Sequence, residues 1–239
     1  MPPPTNDIRQ NLATIRERIR AAAVSAGRRP EDIRLIAVSK YMPAEYVLQA
    51  MATGQHCFGE STIQDARNKQ ALIDDPANEW HFIGHLQTNK AKHVPGHFNW
   101  LHTLDSLGLA GRLSEQAVKS ACTLNVLLQV NIASDPDKFG LNPAKVFRFV
   151  DDLLQSNLAG ICLQGLMTIG RRDAAPDERR RDFTALRELG TACAQRFGTA
   201  LFSELSMGMS GDFETAILEG ATMVRIGSSI FGRRPAPAK

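Results

Sequence analysis

Eight times along this chain a short apolar run gives way to a stretch with helical spacing. That alternation limits the fold more than any other feature. The runs cover residues 34–40, 56–60, 80–84, 100–105, 125–132, 158–169, 201–207 and 222–227. Near-continuous apolar strands separated by helices belong to parallel sheets that are covered on both faces. Eight such units in 239 residues fit a (β/α)8 TIM barrel, which takes roughly 250. The rival is a doubly wound open sheet, which usually carries a glycine-rich turn after its first strand. Here the first strand ends Ser39-Lys40 without those glycines. The expectation is an α/β fold, a barrel with one extra N-terminal helix. That helix, over 6–27, has capping residues in Thr5-Asn6-Asp7 and an apolar face of Ile8, Leu12, Ile15 and Ile19. No linker or internal repeat divides the chain, so 1–239 is expected to be one domain with a frayed tail over 233–239.

Composition narrows the function classes. A net charge of +3 is too small to argue for nucleic acid, and no nucleic-acid-binding motif is present. The four cysteines, Cys57, Cys122, Cys162 and Cys193, show no metal-ligand or CxxC spacing and are expected to be reduced thiols. The N-terminus has no apolar signal core, and no run approaches the roughly 20 residues of a membrane span. These features predict a cytoplasmic protein that binds neither nucleic acid nor membrane.

In a parallel barrel the carboxyl ends of the strands share one face, and ligands sit there. The strand ends bring Lys40, Glu60, Ile83, Asn131 and Met167 to that face. A lysine there either snorkels to solvent or is held where partial burial makes its amine a usable nucleophile. Barrels commonly hold phosphate at the loops after strands seven and eight. Ser206, Gly208, Ser210 and Gly211 follow strand seven, and Gly227, Ser228 and Ser229 follow strand eight. Either stretch alone reads as a glycine turn, whereas together they suit an anion. Arg225 alternates with Val224 and Ile226, which points it into the barrel mouth. Its partner there is Glu60, Glu204 or a ligand acceptor. His81, His85, His93, His97 and His102 lack a zinc pattern and read as surface or supporting residues. A lysine, a phosphate cradle and an arginine able to face a pyridine nitrogen together describe a pyridoxal phosphate site.

The chain closely resembles the pyridoxal phosphate homeostasis protein family, the single-domain relatives of the alanine racemase barrel. The resemblance is carried by Ala37-Val-Ser-Lys40, Phe58-Gly-Glu60, Trp80-His-Phe-Ile-Gly84, Gln129-Val-Asn131, Gly165-Leu-Met167, Leu205-Ser-Met-Gly-Met-Ser210 and Val224-Arg-Ile-Gly227. It implies pyridoxal 5′-phosphate held on Lys40 as a Schiff base, with Ser206, Gly208, Gly227 and Ser228 at the phosphate. It also implies Arg225 at the ring nitrogen and Met167 against the ring. The family usually reads Phe-Gly-Glu-Asn-Tyr where this chain has Phe58-Gly-Glu-Ser61-Thr62. The resemblance therefore implies Ser61 at the cofactor in place of the family's asparagine.

Two functions from different classes follow. One is a non-catalytic cofactor protein that helps set the balance of vitamin B6 and amino acids, with cofactor-dependent apoenzymes as recipients. The other is a pyridoxal phosphate-dependent amino-acid racemase. Racemisation needs a base on each face of the substrate α-carbon, and Lys40 serves only one. In alanine racemases the second is a tyrosine from a C-terminal domain that this chain has no residues left to build. Its own tyrosines, Tyr41 and Tyr46, lie beside and beyond Lys40. The carrier is the expected function, and a monomer suits a one-domain barrel.

Overall fold

The structure is a computed structural model that describes residues 7–73, 75–171 and 174–232. Eight parallel strands close into a barrel in sequence order, each hydrogen-bonded to the next and β8 to β1. The strands are β1 (Arg34–Val38), β2 (Cys57–Glu60), β3 (Glu79–Phe82), β4 (Trp100–Leu104), β5 (Leu124–Gln129), β6 (Ile161–Met167), β7 (Glu204–Ser206) and β8 (Met223–Ile226). Around them lie α2 (Ala44–Met51), α3 (Ile63–Gln70), α4 (Leu107–Lys119), α5 (Val146–Gln155), α6 (Pro176–Phe197) and α7 (Phe213–Leu218). The barrel expected from the alternation is therefore present. The extra helix, α1 (Ile8–Ser25), starts at Asp7, whose carboxylate accepts the Gln10 amide. Thr5 and Asn6 lie outside the described residues, as do Arg172, Asp173 and the tail expected to fray.

Strand alternation divides the apolar residues between two cores. One set packs between barrel and helices, with Phe58, Phe82, Leu101, Val126 and Val224 fully or almost fully buried. The other, Ile36, Trp100, Leu127, Met167 and Met223, fills the barrel interior. Burying each such side chain contributes about 1.5–3 kcal/mol. Helix α1 packs on α7 and on the short helix α8 (Ser228–Phe231), burying Ile8, Leu12, Ile15 and Ile19. Asn11 Nδ2 donates to the Ile230 carbonyl at 2.8 Å, which fixes α1 to α8. Helix α8 starts straight after Gly227 and has no counterpart in the apolar pattern.

Several elements are shorter than the apolar runs suggest. The run over 158–169 forms a strand only across Ile161–Met167, and that over 201–207 only across Glu204–Ser206. Thr199–Leu201 is a 3-10 turn, as is the basic segment Thr88–His93. Gly165, with φ +154°, lets β6 come close to β7. A Cβ there would lie 1.9 Å from the Glu204 carbonyl oxygen.

Candidate functional site

A cavity of about 540 Å³ opens at the carboxyl ends of the strands. Its wall includes Lys40, Ile83, Met209, Ser210, Gly211, Arg225, Gly227 and Ser228. Of the residues singled out from the sequence, Lys40, Ile83, Ser210, Gly211, Arg225, Gly227 and Ser228 are thus brought together. Ser61, Met167, Ser206 and Gly208 are not on that wall, and each has a physical reason. Met167 is fully buried in the barrel interior beneath the cavity. The Ser206 hydroxyl is fully buried and bonded to Arg225 and His102. Gly208, with φ +93°, packs the turn after β7 onto α7; a Cβ there would lie 2.6 Å from the Ala216 Cβ. The wall passes instead to Met209, Ser210 and Gly211. Ser61 lies against the backbone of Gly84, where a Cβ would come within 2.2 Å of the Ser61 carbonyl oxygen.

Lys40 follows β1 by two residues, and α3 holds the chain on both sides of it. Lys69 Nζ donates to the Ser39 carbonyl at 2.7 Å, and the Tyr41 amide donates to Asp65 Oδ2 at 2.7 Å. Lys69 also binds Glu60 Oε1 at 2.7 Å and Asp65 Oδ2 at 3.1 Å, while Ser39 Oγ donates to Glu60 Oε1 at 2.6 Å. Tyr41 takes φ 63°, a left-handed conformation uncommon for a non-glycine residue and tolerated where the surroundings dictate it. Burial lifts the Glu60 carboxyl to about 7, against the pull of Lys69 and Ser39. Glu60 therefore faces α3 and not the cavity.

Arg225 bonds to neither of its expected acidic partners. Its Nη1 donates to Ser206 Oγ at 2.6 Å and its Nη2 to the Thr168 carbonyl at 2.8 Å. Glu204 instead accepts from Thr222. Burial lowers the Arg225 pKa to about 10, so the group stays cationic at neutral pH. Beneath it, Ser206 Oγ lies 2.9 Å from His102 Nδ1, and His102 Nε2 lies 2.9 Å from His81 Nδ1. His81 Nε2 lies 3.5 Å from Glu79 Oε2 at the other end of the barrel. Burial pushes the pKa of His81 down and that of His102 well down. Sequence reasoning missed this interior role for the two histidines. The signal was present in the two-residue spacings Glu79/His81 and Trp100/His102, which put each pair on one strand face.

A family model, the alanine racemase N-terminal domain, matches residues 7–235. The chain belongs to that family. It is 42% identical over 235 residues to the pyridoxal phosphate homeostasis protein of Escherichia coli (strain K12), covering 96% of this chain and 97% of that one. The protein of the same name from Pseudomonas aeruginosa is 43% identical over 227 residues, with 95% and 96% covered. Among solved structures, PipY of Synechococcus elongatus with PLP bound superposes with a TM-score of 0.83 at 37% identity, covering 94% of this chain and all of that one. An alanine racemase from Clostridium difficile 630 shares the fold, with a TM-score of 0.70 at 15% identity. This chain covers 98% of its own length there and 59% of the racemase's.

Proposed function

We propose that this chain is a pyridoxal 5′-phosphate-binding protein that holds the cofactor on Lys40 and contributes to vitamin B6 and amino-acid homeostasis without racemase turnover. The observation that carries this reading is the cavity wall itself. It offers one amine, Lys40, and one buried guanidinium, Arg225, with hydroxyls and bare glycine backbone beside them. The residues fit the group. Gly227 lies so close to β1 that a Cβ would meet the Val38 carbonyl oxygen at 3.1 Å, whereas Gly211 has open space. Ser210 and Ser228 add hydroxyls suited to a phosphate.

When bound, the cofactor supplies an aldehyde that condenses with a primary amine and an electron-withdrawing ring. The protein's own residues do the rest. Lys69 and Asp65 fix the peptide groups either side of Lys40, so its side chain leaves from a rigid base. Arg225 would donate towards the ring nitrogen and, being cationic, would keep that nitrogen unprotonated and the ring a weak electron sink. Lys40 and Arg225 are the ionisable groups of the cavity wall among the described residues. Tyr41 and Tyr46 are exposed, 52% and 36%, and stand off that wall. This wall offers no second base beside Lys40 for a two-base racemisation. Cofactor-dependent apoenzymes are the proposed recipients, and the protein is proposed to act as a cytoplasmic monomer. Among the described residues no helix is long and apolar enough to cross a membrane.

The deciding experiment loads the protein with pyridoxal phosphate, adds a panel of amino acids in deuterated water, and follows loss of the α-proton signal. Exchange no faster than with free cofactor, together with a borohydride-fixed mass increment lost in Lys40→Ala, is the expected result. Fast exchange that depends on Lys40 would make the protein an enzyme and overturn the carrier reading.

A further inference from the structure

Arg225, Ser206, His102, His81 and Glu79 come from β8, β7, β4 and β3, and their side chains meet inside the barrel. Their protons can be counted. A guanidinium only donates, so Ser206 Oγ accepts from Arg225 Nη1 at 2.6 Å. The serine's own proton then needs an acceptor, and His102 Nδ1 at 2.9 Å provides one. A neutral His102 that accepts at Nδ1 carries its proton on Nε2 and donates it to His81 Nδ1, again at 2.9 Å. His81 then carries its proton on Nε2, which faces Glu79 Oε2 at 3.5 Å. Every hydrogen bond donates in one direction, from Arg225 to His81. The His81 Nε2–H then points at the Glu79 carboxylate as a charge–dipole contact longer than a hydrogen bond. The reverse order would leave the Ser206 hydroxyl proton without an acceptor in a fully buried site and turn a His81 lone pair towards a carboxylate. Leaving a buried group unpaired costs about 1–3 kcal/mol.

We propose that Ser206, His102 and His81 form a one-way hydrogen-bond chain, anchored on Glu79, that orients and polarises Arg225, with His102 as the positioning residue at its centre. The ring planes are held for this purpose. His81 stacks on Trp100 with centroids 5.7 Å apart and planes at 11°, and it meets His102 edge-on at 5.1 Å and 68°. The anchor is also fixed, because Trp100 Nε1 donates to Glu79 Oε1 at 2.9 Å. Arg34 Nη1 and Cys57 Sγ each lie 3.5 Å from Glu79 Oε2, so the carboxylate is surrounded by donors. Both histidines are fully buried, which favours neutral rings. The chain makes Ser206 an acceptor with no freedom to turn its proton back on Arg225. Together with the Thr168 carbonyl it holds the inner edge of the guanidinium, leaving the outer edge for the cavity. That last step rests on the cofactor reading above; the chain itself does not.

The first test needs no cofactor. Long-range 1H–15N spectra of the unloaded protein are expected to show His102 and His81 as neutral Nε2–H tautomers between pH 6 and 8. An Nδ1–H tautomer at His102, or a charged ring in that range, overturns the proposal. The second test compares His102→Phe, which removes the acceptor at similar volume, with His102→Asn, whose amide oxygen replaces Nδ1. Pyridoxal phosphate should bind about tenfold more weakly to His102→Phe and within about threefold of the parent to His102→Asn. The 15N shift of the cofactor's ring nitrogen should move only in His102→Phe. Equal affinity and an unchanged shift in His102→Phe would overturn the proposal. If that variant does not fold, Ser206→Ala breaks the same chain and takes its place. A parent protein that binds no pyridoxal phosphate would sink the cofactor reading, while the imidazole spectra still decide the chain.

Discussion

Lys69 donates to the carbonyl oxygen of Ser39 at 2.7 Å, a bond from helix α3 to the residue before Lys40. Its ammonium also forms an ion pair with Glu60. Lys69 is 2% exposed and Glu60 is fully buried, so deleting the lysine leaves a carboxylate in the interior without its cation. Breaking such a pair from one side costs about 3–5 kcal/mol, whereas replacing both partners by apolar groups is often neutral. Lys69→Met should therefore lose about that much stability in urea unfolding, and Lys69→Met/Glu60→Leu should recover most of it. In the single variant the Glu60 titration should also move up from about 7, as read by carboxyl 13C shifts. A double variant no better than the single would show that the two residues do not act as a pair.

Two glycines should respond to alanine in opposite directions. At Gly84 a Cβ would lie 2.2 Å from the Ser61 carbonyl oxygen, and the obstacle is backbone. Gly84→Ala is expected to lose about 2–4 kcal/mol, or roughly 5–15 °C in Tm for a chain of this size. Gly111 lies within α4, and a Cβ there meets nothing within 4 Å. Gly111→Ala should gain up to about 1 kcal/mol from helix propensity. Calorimetry of the two variants tests both signs.

The Arg225 contacts set a third expectation. Ser206 Oγ and the Thr168 carbonyl are both served by one planar fork. A lysine keeps the charge but not the fork, and its single nitrogen cannot take both positions. Arg225→Lys should weaken pyridoxal phosphate binding by about tenfold, as measured by equilibrium dialysis. Retention equal to the parent would count against the ring-nitrogen role.

The barrel was legible because its signal is local and repeated: each apolar run is a strand buried on both faces, and the turns between are polar. Lys40, Arg225, Gly227 and Ser228 were legible for a related reason, since strand ends in a barrel converge whatever the loops do. Ser206, Gly208 and Met167, which the resemblance puts at the cofactor, lie off the cavity wall, because their positions depend on depth. Ser206 sits one layer below the mouth, where a hydroxyl serves the interior. Gly208 turns the chain against α7 and passes the wall to Ser210 and Gly211. Strand register decides between these layers, and a one-residue step changes which face a side chain occupies. The histidine chain was hidden for a further reason. Its members are scattered over four strands, and only barrel closure makes neighbours of His102 and Ser206. The clamp on Lys40 was equally hidden, because only the folding of α3 back onto β1 brings Lys69 and Asp65 beside Ser39 and Tyr41.

The anchor of the histidine chain makes an acid-stability prediction whose sign can be worked out. The His81 ring edge, then the Trp100 indole N–H, hold the Glu79 carboxyl down to about 2 against the opposing effect of burial. The folded protein therefore binds this proton less tightly than the unfolded chain, whose carboxyl keeps the ordinary 4.5. Between those two values the unfolded state carries more protons, so stability falls as the pH falls. The contribution is complete above about pH 4.5 and gone near pH 2. Glu79 keeps 31% of its side chain exposed, so screening trims the effect to about 1–2 kcal/mol. Glu79→Gln keeps an acceptor for Trp100, removes the charge, and turns an amide nitrogen towards the donors His81, Arg34 and Cys57. It should be less stable than the parent at pH 7 by at least that amount, lose less on acidification, and approach the parent curve towards pH 2. Urea midpoints measured from pH 7 down to pH 2 decide it. Curves that stay parallel throughout would mean that Glu79 is not the carboxylate holding the far end of the barrel.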